Sequence, residues 1–298
     1  MKIIPPTVID DSSLVTATIQ EPSADELADP DYRGLWDAIT TYMVNAVVIV
    51  EATHKKYVSL KNDNLNWIPG DSGSETWWLE IGYSDRWKAF DDIVNDQIEY
   101  ASVISYTLTP GIPIDSVAIL NIEAETVKVT FTDTGGTGAT TVWNETVMVD
   151  DLYVPDVAKT DFPLTYLTPT ILIELTPATG ATCKMGEIVI GCSKSLGGTK
   201  WSPSVGIIDY SLKQVDTFGN YTVLERAYSK RMSCSTNVLN SLLDTVFNTL
   251  ALYRATPVVW VGHEDYSSLI VFGFYKDFSI DIPYLKYSVC SLEIEGLV

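Results

Sequence analysis

Nucleophilic catalysis by serine, threonine or cysteine needs a nearby base, and histidine is the residue that most often supplies it. The sequence contains only two histidines, His54 and His263, and they lie far apart in the chain. His263 occurs in the turn-like segment 262–265 after a strand-like run, which is typical of an exposed loop histidine. The sequence therefore does not predict a Ser-His-Asp arrangement.

Acidic side chains are abundant, and pairs of them catalyse glycoside hydrolysis. Among 39 acidic residues, Asp91 with Asp92 and Asp150 with Asp151 are adjacent pairs. Adjacent acids more often cap helices or occupy turns, and no segment has the spacing of a calcium-binding loop. The glycine-rich segment 135–138 also lacks the spacing of a phosphate-binding loop. We therefore predict no enzymatic activity, with a depolymerising glycosidase as the minor alternative.

The cysteines do not form a recognisable metal motif. Cys183, Cys192, Cys234 and Cys290 include no CxxC pair. With only two histidines to complete a ligand set, their spacing does not match that of a zinc site. We interpret all four as small, buried, reduced side chains, and we predict neither a metal nor a cofactor.

The composition is that of a folded protein with an acidic surface. Of 298 residues, 46% are apolar and 19% are charged, which is enough for two or three compact cores. The formal net charge of −20 repels phosphate backbones, so we expect no direct binding of nucleic acid. The longest apolar run, residues 42–50, is too short to span a membrane, and the sequence opens without a signal-like segment. We therefore expect synthesis in a cytoplasm and no membrane insertion.

Changes in composition along the chain predict a mainly β, multi-domain protein. Residues 1–30 are acidic and contain several prolines, which predicts an extended arm on a neighbouring protein or a mobile terminus. Residues 31–92 predict a small aromatic-rich β module, and residues 93–199 predict a β-sandwich. Residues 200–298 predict an α+β domain in which one helix lies on an antiparallel sheet.

The last predicted domain contains the clearest patterns. Leucine, valine and aromatic side chains recur at helical spacing between residues 236 and 253, after a capping Ser235 or Thr236. Residues 205–212 and 221–228 predict a strand pair. A further strand is predicted at the end of the chain, with alternate residues on one buried face. The residues on that face are Ser288, Cys290, Leu292 and Ile294.

The aromatic-rich module suggests a second type of site. Sugar rings stack on flat aromatic side chains while polar neighbours bind their hydroxyl groups. The candidate glycan-binding residues are Tyr57, Asn62, Trp67, Trp77 and Trp78, beside Asn64 and Asp71. The alternative is that these aromatic side chains form the small core that so short a module needs.

Two parts of the sequence resemble proteins of tailed bacteriophages. The first consists of residues 57–64, Pro69, residues 77–82 and residues 86–91. It resembles a small module that recurs in tail and virion proteins and that is itself similar to the chitin-binding modules of glycosidases. The resemblance implies a carbohydrate-module-like fold for this part of the chain.

The second part consists of residues 206–213, 216–220, 225–231 and 291–297. It resembles the C-terminal part of a family of phage virion structural proteins that are associated with tails. The span before it, which ends at residue 191, resembles galactose-binding-like sandwiches.

These resemblances imply a structural subunit of the virion, in the tail, baseplate or collar. Its expected partners are other virion proteins and further copies of itself, arranged symmetrically. Large aromatic residues often anchor such interfaces. The candidate anchors are Trp201, Tyr210, Tyr228, Trp260 and Tyr275. The alternative function is a glycan-binding module within the tail that attaches the particle to the host surface.

Overall fold

The computed structural model of the chain describes residues 1–149, 152–215 and 217–298. The described residues are mainly β and form several sheets, with one longer helix near the C-terminus, which confirms the predicted fold class. None of the helices in these ranges is long and apolar enough to cross a membrane.

The chain divides into two compact units. Residues 1–16 and 92–298 form the large unit, and residues 17–91 form the small unit. The module predicted for residues 31–92 overlaps most of the small unit, which begins earlier, at residue 17, and ends at residue 91. The predicted boundary near residue 199 lies inside the large unit.

The strands of the first half of the chain are β1 (Lys2–Ile4), β2 (Leu14–Ala17), β3 (Tyr32–Leu35), β4 (Thr41–Tyr42), β5 (Val47–Val50), β6 (Lys55–Ser59), β7 (Asn64–Leu65), β8 (Trp78–Tyr83), β9 (Ile98–Tyr100), β10 (Ile104–Leu108), β11 (Ser116–Leu120), β12 (Thr126–Asp133), β13 (Thr140–Thr146) and β14 (Met148–Val149). The strands of the second half are β15 (Leu152–Tyr153), β16 (Val157–Thr160), β17 (Pro169–Thr176), β18 (Cys183–Met185), β19 (Glu187–Gly191), β20 (Lys194–Ser195), β21 (Gly198–Thr199), β22 (Ser204–Asp209), β23 (Leu212–Val215), β24 (Tyr221–Leu224), β25 (Tyr228–Leu239), β26 (Val258–Val261), β27 (Ile270–Asp281) and β28 (Tyr287–Gly296). The α-helices are α1 (Ala24–Ala28) and α2 (Leu243–Leu252), and single 3₁₀ turns cover Lys88–Phe90, Asn240–Leu242 and Ser267–Leu269.

Three antiparallel sheets build most of the large unit. The largest runs in the order β20-β1-β26-β27-β28-β25-β21, with β22 also paired to β25. A five-stranded sheet runs in the order β13-β12-β17-β10-β2, and a three-stranded sheet in the order β16-β11-β19. Two-stranded pairs join β14 to β15, β9 to β18 and β23 to β24.

The three-stranded sheet is buried on both faces. All five residues of β11 and all five residues of β19 are buried. Because successive side chains of a strand point to opposite faces, both faces of this sheet are covered, and one of them packs against the eight-stranded sheet. The cluster on the first side contains Ala118, Leu120, Ala158 and Val189 against Ile4, Val259, Val261, Ile270 and Phe272.

The opposite face of the eight-stranded sheet is covered by α2. Val246 and Leu250 are the buried residues of this helix. They pack in one cluster with Trp260 and Leu292 of the sheet. The prediction of one helix on an antiparallel sheet is therefore confirmed, and the eight-stranded sheet lies between α2 on one face and the three-stranded sheet on the other.

Helix α2 begins later than the sequence pattern indicated. The proposed N-cap residues, Ser235 and Thr236, lie inside strand β25, which pairs with β28 as far as Leu239 opposite Tyr287. Cys234, Thr236 and Val238 are buried on one face of that strand. Strand pairing therefore replaces the helix in this stretch, and Leu239 belongs to the strand. The predicted burial of alternate residues in β28 is confirmed at all four positions.

The N-terminal segment is not a free arm. Strand β1 pairs with β26 on one side and β20 on the other. Ile3 and Ile4 have no exposed surface, and the Thr7 amide donates a hydrogen bond to the Ile190 carbonyl at 2.8 Å. The extended conformation predicted for residues 1–30 is found in strands β1 and β2, which lie in sheets of the same chain, but residues 24–28 form helix α1.

The small unit contains a four-stranded sheet in the order β3-β5-β6-β8 and a second pair, β4 with β7. Only β3 and β5 run parallel. Its buried cluster is built on Tyr42, Tyr57 and Trp78, with Ala46 and Val48 between them. Five-residue helix α1 starts at a capping box, in which Ser23 and Glu26 each accept a hydrogen bond from the other's backbone amide.

Candidate functional site

The candidate glycan-binding residues do not form one platform. Tyr57 and Trp78 lie in the core of the small unit, where Trp78 is 3% exposed and Tyr42 meets its ring edge-on at 5.3 Å. The side chain of Asn62 accepts a hydrogen bond from the Val44 amide at 3.1 Å, so it orders a neighbouring turn. These three residues therefore stabilise the fold of the small unit and present no common aromatic face.

Trp67 and Trp77 form a stacked pair at the surface of the same unit. Their ring centres lie 5.2 Å apart with planes only 14° from parallel. Trp67 is 41% exposed, and the Lys61 ammonium lies 4.7 Å from the centre of the Trp77 ring. The Trp67 carbonyl accepts the indole hydrogen bond of Trp78 at 2.7 Å, which ties the pair to the core. One exposed indole on a rigid support can stack on an apolar ring face.

A buried carboxylate joins three side chains that are distant in sequence. Glu21 lies 2.8 Å from Nδ1 of His54, and it accepts hydrogen bonds from the Ser84 hydroxyl at 2.6 Å and the Trp87 indole at 3.2 Å. The His54 ring stacks on Trp87 at 4.1 Å. A catalytic triad directs the serine proton to the histidine, whereas here it is directed to the carboxylate. The cluster is suited to holding segment 21–26 in place. The spacing of these residues in the sequence did not predict that Glu21, His54, Ser84 and Trp87 would meet.

A second polar cluster reinforces the same segment. Asp85 accepts a hydrogen bond from Ser23 at 2.5 Å and lies 3.2 Å from Lys56 and 3.4 Å from Lys88. Burial alone would raise the pKa of Asp85, but the Ser23 hydrogen bond and the two ammonium groups hold that pKa below its ordinary value. Lys56 also lies 3.2 Å from the buried Glu26. These ion pairs fix α1 to the sheet.

Three of the four cysteines, Cys183, Cys234 and Cys290, are buried as predicted, whereas Cys192 is only partly buried. Burial raises the pKa of Cys183, Cys234 and Cys290 to about 11 in each case, so these thiols stay protonated near neutral pH. Within the described ranges, no group of three or more histidine, cysteine or acidic side chains is placed to hold a metal ion.

Of the two adjacent acid pairs named above, only Asp91 with Asp92 lies within the described residues. Burial raises the pKa of Asp92, whose amide donates a hydrogen bond to Glu187. The other predicted pair, Asp150 and Asp151, lies outside the described residues.

The five candidate interface residues separate into two groups. Trp260 and Tyr275 belong to the core of the large unit: Trp260 has no exposed surface and donates its indole hydrogen bond to the Gly273 carbonyl. Trp260 is therefore not a surface anchor, whereas Tyr275 is partly buried against this cluster. Trp201 is 96% exposed, and Tyr210 and Tyr228 are exposed to nearly half their surface.

The exposed group lies on and beside a projecting β-ribbon. Residues 204–209 of β22 pair with residues 228–233 of β25, and residues 212–215 pair with residues 221–224. Strand β25 begins to pair with β28 only at Arg231, so the part of the ribbon beyond that point extends away from the sheet. We call residues 204–230 the ribbon. The sequence predicted a strand pair here, but not that it would project.

The outer part of the ribbon is apolar and exposed. All eight residues of β23 and β24 are exposed. An isolated two-stranded hairpin is only marginally stable in water, because neither face is covered. The exposed large apolar side chains of the ribbon are Val205, Ile207, Tyr210, Leu212, Val215, Phe218, Tyr221, Val223, Leu224 and Tyr228.

Two features secure the base of the ribbon. Lys230 forms an ion pair with the buried carboxylate of Asp156, and its ammonium also donates a hydrogen bond to the Ser267 carbonyl at 2.9 Å. Beside the base, an open groove of about 440 Å³ is lined by Trp201, Pro203 and Tyr266. The apolar surface of the ribbon therefore continues into this groove from a fixed base.

Comparisons with known proteins do not assign the chain to a family. No family model matches the sequence, and no curated protein matches it.

Proposed function

We propose that this chain is a structural subunit of a tailed-phage virion, located in the tail, baseplate or collar and assembled in symmetric copies. The observation that carries the proposal is the exposed apolar surface that extends from Trp201 along the ribbon to Tyr228. Contiguous exposed apolar surface of this kind marks interaction sites in soluble proteins. The proposal of a virion protein comes from the resemblance to phage virion structural proteins. Residues 206–213 and 225–231, which carry part of that resemblance, lie in or next to the ribbon.

The test is to locate the chain in particles. Antibodies raised against the purified protein are applied to purified phage particles that encode it, and gold labelling is examined by electron microscopy. Labelling at one site in the tail region, with several copies per particle by quantitative mass spectrometry, is expected. Absence of the chain from washed particles would contradict the proposal.

Glycan binding by the small unit is a second candidate function, and the exposed Trp67–Trp77 stack favours it. Among the candidate glycan-binding residues, Trp67 is the one whose indole faces solvent. A single subunit would therefore bind a sugar weakly, with a dissociation constant of about 1 mM. Symmetric copies would increase the apparent affinity roughly 10²-fold or more. Particles carrying Trp67→Ala should then lose binding to host surface polysaccharide, and unchanged binding would remove this candidate.

A further inference from the structure

The ribbon exposes more contiguous apolar surface than a soluble protein usually leaves in contact with water. Its ten large apolar side chains range from 40% to 90% exposed. Four of the ten are aromatic side chains, which present about 150 to 250 Å² each when free, and the six aliphatic ones are smaller, so the two faces of the ribbon together expose on the order of 1,000 Å² of apolar side-chain surface. A stable protein–protein interface buries about 800 Å² on each partner. A partner that encloses both faces of the ribbon can therefore bury the area that a stable interface requires.

The ribbon also differs from the rest of the chain in charge. The chain carries 39 acidic and 19 basic residues. Within the ribbon, residues 204–230, there are three acidic and three basic residues. Two chains with net charge −20 repel each other over most of their surfaces. The ribbon is a nearly neutral region through which a second acidic copy can approach without that repulsion.

We infer that the ribbon is an assembly arm that docks on a second copy of this chain. This inference deepens the proposed function, on which it rests, because it names the interface and the partner. Val215, Tyr221 and Val223 lie on one face of the hairpin, since Val215 pairs with Tyr221 and Val223 with Lys213. That face becomes buried in the neighbouring copy. The ion pair at Lys230 and Asp156 holds the base of the arm while its outer part is bound.

The experiment measures self-association of the full chain by sedimentation velocity over a range of concentrations. The arm variant is Val215→Glu with Val223→Glu, which places two carboxylates on the docking face. The matched control is Val8→Glu with Leu167→Glu, which adds the same charge at two apolar residues of the large unit that are 86% and 67% exposed and lie outside the ribbon. Near-ultraviolet circular dichroism and thermal melting check that each variant is folded.

We expect the wild type and the control to associate alike, and the arm variant to associate at least about 30-fold more weakly, as for the loss of an interface hot spot. A second variant, Val215→Thr with Val223→Thr, keeps the net charge and the preference for strand conformation. It should weaken association by a smaller factor, and it keeps the test valid if the carboxylates prevent folding.

Equal association of the arm variants and the wild type would overturn the inference, and so would a wild type that stays monomeric at every concentration. The proposed function is tested separately, by presence of the chain in particles. A chain that is found in the particle but is monomeric in solution would retain its structural role and lose the self-docking arm.

Discussion

At the scale of single residues, two tryptophans of the small unit have opposite surroundings. Trp78 is in the core with Tyr42 and Tyr57, whereas Trp67 covers Trp77 from the solvent side. Removing a buried tryptophan side chain loses its transfer free energy and leaves a cavity. Removing a surface indole loses mainly one stacking contact, which contributes about 1 kcal/mol.

The first prediction is that Trp78→Ala lowers the free energy of unfolding of the small unit by about 3 to 5 kcal/mol. Trp67→Ala is the matched control and should cost about 1 kcal/mol. Urea denaturation followed by circular dichroism measures both. Similar losses for the two variants would show that Trp67 is as important for the core as Trp78.

The sequence predicted this part of the chain only in outline. It indicated an aromatic-rich module and offered two interpretations, a sugar platform or a small core. Burial separates the residues: Tyr57 and Trp78 point into the core and Trp67 does not. The difference depends on the direction of each side chain, which residue type alone does not determine. For the same reason the buried Trp260 and the exposed Trp201 looked equivalent as interface anchors.

At the scale of secondary-structure elements, helix α2 shows a competition between local pattern and strand pairing. The apolar spacing from residue 236 onward fits a helix, but residues 231–239 pair with β28. Of the predicted apolar stripe, Phe247 is nearly half exposed, while Val246 and Leu250 are buried. The spacing predicted that the helix exists, whereas its start depended on a partner strand at the end of the chain.

The second prediction compares a buried and an exposed leucine in the last turn of this helix. Leu250→Asp buries an unpaired charge where the wild-type side chain has no exposed surface, and it should destabilise the large unit by several kcal/mol. Leu252→Asp is the control, because Leu252 is 66% exposed on the same helix. Thermal unfolding compares the two variants. If Leu250→Asp melts like the wild type, the helix does not cover the sheet in solution.

The third prediction concerns the N-terminal strand. A Cβ atom on Gly191 would lie 2.1 Å from the Pro5 carbonyl oxygen, which is backbone and cannot rotate away. Gly191→Ala should therefore push residues 1–7 from their place beside β19 and cost about 1 to 3 kcal/mol. It should also make these residues sensitive to protease, whereas in the wild type they resist it. Gly198→Ala is the control, because no atom lies within 4 Å of its Cβ position.

At the scale of the whole molecule, the β-sandwich and the C-terminal domain expected from composition share a buried layer. The sequence placed a boundary near residue 199, where turn residues are frequent. Strands β11 and β19 are buried on both faces, whereas the sequence predicted only a sandwich of residues 93–199. It did not indicate that one face is covered by β1, β26 and β27, because β1 lies about 100 residues before β11 in the chain, and β26 and β27 lie 138 or more residues after it.

The last prediction follows from this shared layer. A fragment of residues 93–199 would expose one face of the three-stranded sheet, including Leu120 and Val189, that the eight-stranded sheet covers in the full chain. Loss of specific packing with retained strand content is the expected result, seen as binding of the dye ANS and a broad thermal transition. Residues 17–91 are the matched control fragment, because the small unit has a buried cluster of its own. That fragment should melt cooperatively and bind no dye. A cooperative, dye-free fragment 93–199 would mean that the sandwich is an independent domain after all, because its inner sheet would then be stable without the layer that covers it in the full chain.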